Sequence, residues 1–230
     1  MKSSKFYLIF YFSSFILILG GNEKMAHKVA SVQTLFEDSM ALHNDLVVGG
    51  NEYSAATIIK DLDDGIDNFK QNWGGKDAGR QINNIIAVRN AMVGVSNALD
   101  MLAGESSKVA SNYREIQNSN GAGLEQFSAL HAEAKSTIGE YTDDRDTIDI
   151  RADVTTGMSK INTAKTEIDA FITRTKEACS RIMENWSEGD QNRESAKQAI
   201  EEFLNKADQY KEVLTQASNS ADTAIKNYNL

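Results

Sequence analysis

Apolar residues recur along this chain at alternating spacings of three and four. Ile59, Leu62, Ile66, Phe69 and Trp73 form one such run. Ile85, Val88, Met92, Val95, Leu99, Leu102, Ser106, Val109, Tyr113 and Ile116 form a second. This spacing puts the apolar side chains on one stripe of a helix and the polar ones on the opposite face. Between the two runs stands Trp73-Gly74-Gly75. Two striped helices that meet at a tight glycine turn can hide their stripes by folding back on each other. The pattern therefore predicts a helical hairpin with the turn at its tip.

The pattern repeats. Ile172, Thr175, Cys179 and Ile182 lead to Trp186 as Ile59, Leu62, Ile66 and Phe69 lead to Trp73. Ile200, Phe203, Ala207, Tyr210, Leu214, Ala217, Ala221, Ala224 and Tyr228 follow as Ile85 through Tyr113 do. Asn precedes Trp in both copies (Asn72, Asn185) and Tyr in both copies (Asn112, Asn227). The copies differ in length only at the turn, where insertions are tolerated. The chain reads as a duplicated hairpin.

A preceding helix is predicted over 25–47, with Val32, Leu35, Leu42 and Leu46 on one face and Ser39 interrupting it. Gly49-Gly50-Asn51 should break it, with Asn51 as the cap of the next helix over 52–72. Asp77 is placed to cap the long helix that ends near Gln117. Residues 118–123, Asn-Ser-Asn-Gly-Ala-Gly, read as a linker. Leu124, Phe127, His131, Ala134, Ile138 and Tyr141 read as a helical stripe, followed by a polar stretch over 142–147. The stripe resumes at Val154, Met158, Ile161, Lys165 and Ile168. An unbroken helix over 124–185 would be about 90 Å long and its partner over 190–228 about 58 Å, so a break is expected between 142 and 157. No strand is predicted.

The expected fold is all-α: two tandem hairpins, 25–117 and 124–230, in an elongated bundle of four helices, or of five. Short connections favour up-down neighbours, which places Trp73 and Trp186 at the same end. That expectation holds unless 124–150 crosses back along the bundle.

Composition narrows the function. The 230 residues include no proline, as suits long helices with few loops. The net charge is −9, with Lys and Arg dispersed, which argues against nucleic-acid binding. A single cysteine, Cys179, excludes an internal disulfide and lies on the stripe, as a buried thiol would. His27, His43 and His131 are scattered without ligand spacing, so no metal is expected. Asp61, Asp63 and Asp64 read as a solvated helix face, and Gly121-Ala122-Gly123 lacks the context of a phosphate loop. Without convergent polar groups in a pocket, neither an enzyme, a cofactor nor a small-molecule substrate is expected.

Lys2 and Lys5 precede an apolar run from Phe6 to Leu19. Residues 1–24 read as a misassigned start with translation from Met25, as a cleaved secretory leader, or as a retained anchor, in that order. The run is short of the roughly 20 residues of a spanning helix.

Trp73, Gly75, Trp186 and Gly189, at the tips, are the candidate protein-binding and export residues, together with Tyr113 and Tyr228. A large aromatic at a hairpin tip is only partly covered by two helices, and exposed aromatics make binding anchors.

Trp73-Gly74-Gly75, set between striped helices, resembles the turn of the WXG (ESAT-6-like) superfamily of type VII secretion substrates. The resemblance covers residues 26–117 well and 139–230 less well. The second tip departs from the pattern: Trp186-Ser187-Glu188-Gly189 has one extra residue before glycine. The resemblance implies a non-enzymatic hairpin protein that pairs into four-helix bundles. It implies folding in the cytoplasm, then export by a secretion machine with a membrane ATPase, as substrate or as partner of a WXG-like protein or toxin. A homodimer is the remaining partner expectation. The family's tail signal, Tyr followed four residues later by Asp or Glu, is absent: Tyr113 is followed by Gln117, and Tyr228 stands too near the end. The rival reading is a Sec-exported, membrane-associated coiled-coil protein with an adhesive or pore-forming role.

Overall fold

The computed structural model of the protein describes residues 31–143, 145–186 and 191–228. The leader, Met25, His27 and Gly189 lie outside the described residues. The architecture is all-α, as expected. Helix α1 (Val32–Ala41) is capped by the Ser31 hydroxyl, which accepts from the Thr34 amide, and continues into a π-helical segment, Leu42–Val47. Helix α2 (Ala55–Asn72) is capped by Ser54, which accepts from the Thr57 amide at 3.2 Å. Asn51, the expected cap, instead donates to the Asp45 carbonyl. Helix α3 (Lys76–Ser119) is the longest element at 44 residues. Its N-cap is Gly75 with no side-chain cap, and Asp77 is instead paired with Arg80. Helices α4 (Val154–Asn185) and α5 (Gln191–Asn227) complete the bundle.

The described residues form four rods. α1, the π segment and α2 make the first, antiparallel to α3: Gln33 meets Arg114, Ser39 meets Ser106, and His43 meets Asp100. α4 runs antiparallel to α2, with Lys160 on Asp61 and Ile161 against Gly65. α5 returns antiparallel to both α4 and α3, shown by Lys211 on Asp169 and Gln81 on Ser220. Neighbouring rods are thus antiparallel all round, and the stripes meet in one continuous core. Phe69, Leu62, Met92, Leu99, Ile161, Ile168, Phe171 and Leu214 are fully buried in it.

Local chemistry explains the irregular stripe positions. Ser39 and Ser106 interrupt their stripes, yet both are buried, because their hydroxyls pair at 2.6 Å, and the hydroxyl that accepts in that pair donates to a carbonyl one turn back. The stripe of α3 drifts towards its end, where Ala110 and Arg114 are buried and Ile116 is 36% exposed. A straight helix drifts about 20° per heptad against a 3.5-residue repeat, so a long stripe rotates out of the seam. Gly65 and Gly157 let α2 and α4 touch: a Cβ on Gly157 would stand 2.7 Å from the Phe69 ring.

The aspartates expected on a solvated face are mostly inter-rod partners. Asp61 is buried under Lys160 at 2.7 Å, and Asp63 takes a fork from Arg89 at 2.9 and 3.2 Å. Asp64 pairs with the exposed Lys60. Beside them Glu167 is half-buried with an unpartnered Oε2. Burial first, then the charges of Asp61 and Glu52, push its carboxyl up to about 7. A raised carboxyl favours the folded state below its ordinary range, near pH 4.3, and that contribution is lost as pH rises through 7. Glu167→Gln is therefore expected to be more stable than the parent at pH 8 and no more stable at pH 4. Urea unfolding at the two pH values checks it, and equal midpoint differences at both would reject it.

Cys179 packs against the core as expected, and burial pushes its thiol up to about 12. Among the described residues one helix, α3, is long and apolar enough to cross a membrane, and most of that stretch is buried in the bundle.

Candidate functional site: the Trp-Gly-Gly tip and the strap along α3

Residues 122–143 are not the helix that their stripe predicts. They run extended along the whole length of α3, as a strap. The extension follows from the bonds. Asn118 holds Leu124 and Asn83 holds Tyr141, so 35 helical positions, about 52 Å, are matched by 17 strap residues. That is about 3.1 Å per residue, the rise of a polyproline II chain. Strap exposure repeats every three residues from 127 to 130 and again from 135 to 141, with a step of five between. Phe127, Leu130, Lys135, Ile138 and Tyr141 are half-buried, and the residues between them are exposed.

The grip comes from polar side chains of α3, mostly one heptad apart. The Asn97 amide accepts from the Lys135 N–H at 2.8 Å and donates to its carbonyl at 2.9 Å. Asn90 does the same with Ile138 at 3.0 and 2.8 Å, and Asn83 with Tyr141 at 2.7 and 2.8 Å. Asn118 pairs with Leu124 at 2.6 and 2.7 Å. Ser111 donates to the Phe127 carbonyl, Ser107 accepts from Leu130, Asp100 accepts from Glu133, and Arg89 donates to the Ser136 carbonyl. Gly104 stands in the asparagine column where the strap passes over it. The periodicity of Asn83, Asn90, Asn97, Ser111 and Asn118 is present in the sequence. An apolar stripe search passes over it, because these residues sit on the face that such a search assigns to solvent.

Two strap side chains insert. The Phe127 ring stacks on Phe36 at 4.1 Å between centroids, and the Arg114 guanidinium covers its other side at 4.1 Å. Lys135 reaches between the rods, donating to the Val47 carbonyl at 3.0 Å and the Ser96 hydroxyl at 2.9 Å. It thereby satisfies a carbonyl at the end of the π segment. Burial lowers its pKa, and the Asp100 charge opposes that. His43 and His131, scattered in sequence, line one pocket here with Asp100, Glu133 and Lys135. His43 Nδ1 is 2.8 Å from Asp100 Oδ1. Among the described residues no cluster of His, Cys, Asp or Glu is placed to hold a metal ion.

The strap ends on the Trp-Gly-Gly tip. Trp73 and Gly74 (β1) pair antiparallel with Asp149 and Ile150 (β2), in the register Trp73 to Ile150 and Gly74 to Asp149. The Gly75 amide donates to Asp143 Oδ2 at 2.9 Å. Asp143 is held in a fork by Arg145, and its side chain is 4% exposed. The Arg145 guanidinium, then the Gly75 amide, hold the Asp143 carboxyl well below the usual carboxylate range. Arg145 lies on Gly74, where any Cβ would strike it, and a Cβ on Gly75 would stand 2.7 Å from the Thr147 carbonyl oxygen. Gly75 is therefore bare where the backbone returns across it, whereas at Gly74 it is the half-exposed Arg145 side chain that fills the space.

No family model, curated protein or solved structure matches the chain.

The predicted site residues other than Gly189 lie among the described residues. Trp73 is not a partly exposed anchor. It is 2% exposed, set edge-on to Phe69 at 5.5 Å and covered by the returning strand. Trp186 is 4% exposed and ends α4 in an extended conformation. The two tryptophans lie at opposite ends, because the strap brings the chain back to Trp73 before α4 starts. α4 then carries it about 48 Å away over its 32 residues. The second hairpin accordingly begins at Val154, not at 124. Tyr113 is half-buried towards the far end of α3, whereas Tyr228 is 49% exposed at the Trp73 end. The structure therefore gathers Trp73 and Gly75 with Asp143 and Arg145, and separates them from Trp186 and Tyr113.

Proposed function

We propose that the protein is a non-enzymatic helical-hairpin protein exported by a type VII machine with a membrane ATPase, as substrate or as export partner of a larger protein. One observation carries the reading: two Trp-tipped hairpins pack into a single four-helix bundle within one chain. Two members of the family that the turn resembles would make such a bundle from separate chains. The buried tryptophans modify the expected recognition. A secretion component would meet the strap residues that cover the first tip, with Lys76 and the exposed Ile148, rather than the Trp73 indole.

The test is export of a tagged full chain from cells with and without the ATPase. Export that requires the ATPase, with a mature N-terminus at Met25, is the expected result. Export that survives loss of the ATPase, stops when the Sec pathway is inhibited, and yields a chain trimmed after Gly20 or Gly21 overturns it in favour of Sec export.

A further inference from the structure

We propose that the strap-bearing face of α3 is a receptor for extended polypeptide, and that its occupant in trans is the strap of a second copy of this chain. The inference goes beyond the export reading and does not depend on it.

The face reads backbone. At Leu124, Lys135, Ile138 and Tyr141 one asparagine amide takes both the N–H and the carbonyl of a single strap residue. Such pairs tolerate any side chain that points outward. From Lys135 to Tyr141 the two repeats match: one heptad of helix rises about 10.5 Å, which three strap residues span at about 3.5 Å each, close to full extension. Asparagines seven apart therefore meet strap residues three apart, as Asn97, Asn90 and Asn83 meet Lys135, Ile138 and Tyr141.

Two side chains set direction and register. Phe127 needs the slot between Phe36 and Arg114, and Lys135 needs the Val47 carbonyl and the Ser96 hydroxyl. An occupant must carry an aromatic residue and, eight positions on, a lysine, in extended conformation. The strap itself meets that requirement, so a second copy supplies a matching ligand.

The strap is separable from the core. No described residue from 121 to 149 is buried, and Phe127, Leu130, Ile138 and Tyr141 only pack against the core from outside. Nothing crowds the turn at Gly121 and Gly123. Opening that turn lets the strap and the hairpin behind it move together onto another copy, keeping every bond described here. In the monomer the tether holds the strap at an effective concentration on the order of millimolar, so the face is closed until the cis strap is weakened or exchanged.

The probe is a labelled synthetic peptide of residues 122–147. The receptor is the full chain carrying Phe127→Ser, Lys135→Ser and Ile138→Ser, which weaken the cis strap. The peptide is expected to bind this chain at least tenfold more tightly than the parent. Adding Asn90→Ala and Asn97→Ala to the receptor should lower binding at least tenfold. Methylating the peptide's Ile138 and Tyr141 amides should do the same, whereas alanine at Glu125, Ser128 and Glu140 should leave it within twofold. No binding to a receptor that circular dichroism shows to be folded overturns the proposal, as does equal binding of the methylated peptide. Should the triple variant fail to fold, differently tagged parent chains refolded together at high concentration must co-purify as an exchanged dimer. Their failure to do so overturns it equally.

Discussion

Replacing Trp73 by alanine is expected to lower the free energy of unfolding by about 3–5 kcal/mol, the range for truncating a buried large aromatic. The indole is 2% exposed and sits at the junction of three elements: the end of α2, the start of α3 and the returning strand at Ile150. Its edge-on contact with Phe69 at 5.5 Å adds to plain area burial, by about 0.5–1.5 kcal/mol for such pairs. Phe69, its ring neighbour, is itself packed against Gly157. Urea unfolding followed by far-ultraviolet circular dichroism measures the effect, with an unchanged slope showing that stability alone has changed. Trp186→Ala should be destabilising in the same way at the other end. The two losses should add, because sites a helix length apart share no partner. A loss under about 1 kcal/mol at Trp73 would mean that the indole is a surface feature and that the packing described here is wrong.

Gly75→Ala is expected to cost about 2–3 kcal/mol, from a backbone conformation that side chains reach only with strain. Gly75 has φ 107° and ψ 170°, a region occupied almost only by glycine. The added Cβ would also press on the Thr147 carbonyl oxygen, 2.7 Å away, and push the strap from the tip. The Asp143 carboxylate would then lose the Gly75 amide. The effect should be local as well as global: amide exchange at Gly75 and at 149–151 should quicken more than exchange in the middle of α3. Gly50→Ala is the control, since nothing lies within 4 Å of the added atom, and it should stay within about 0.5 kcal/mol of the parent. Equal effects at Gly75 and Gly50 would show that the tip does not depend on its glycines.

Both substitutions act where the strap meets the turn, and this junction was the least legible part of the chain. Trp73, Gly74 and Gly75 stand out in the sequence as a hairpin tip, and they form one. Which atoms cover that tip depends on Asp143, Arg145 and Thr147, about seventy residues further on, in a stretch that local pattern assigns partly to helix. The stripe Leu124, Phe127, His131, Ala134, Ile138, Tyr141 does fit a helical period. It also contains three strap residues that bury at a different period, Phe127, Ile138 and Tyr141. Spacings of three serve both a helix and a threefold extended chain, so the apolar pattern alone does not separate them. The asparagine column on α3 does separate them, because heptad-spaced amides on the outer face serve a neighbouring backbone.

The sequence by itself determined the hairpins. The 3.5-residue stripes, the glycine turn after Trp73 and the duplication reaching Trp186 are local patterns, and burial of each stripe against its partner follows from them. Only the tertiary structure decided that 122–143 is extended, that Trp73 is covered, and that Trp73 and Trp186 lie at opposite ends. The physical reason is common to all three. A backbone segment takes whichever partners satisfy its N–H and carbonyl groups, and here side chains of α3 supply them. Once the strap is drawn out to about 3.1 Å per residue it spans the bundle, so α4 must start beside Trp73 and finish at the far end.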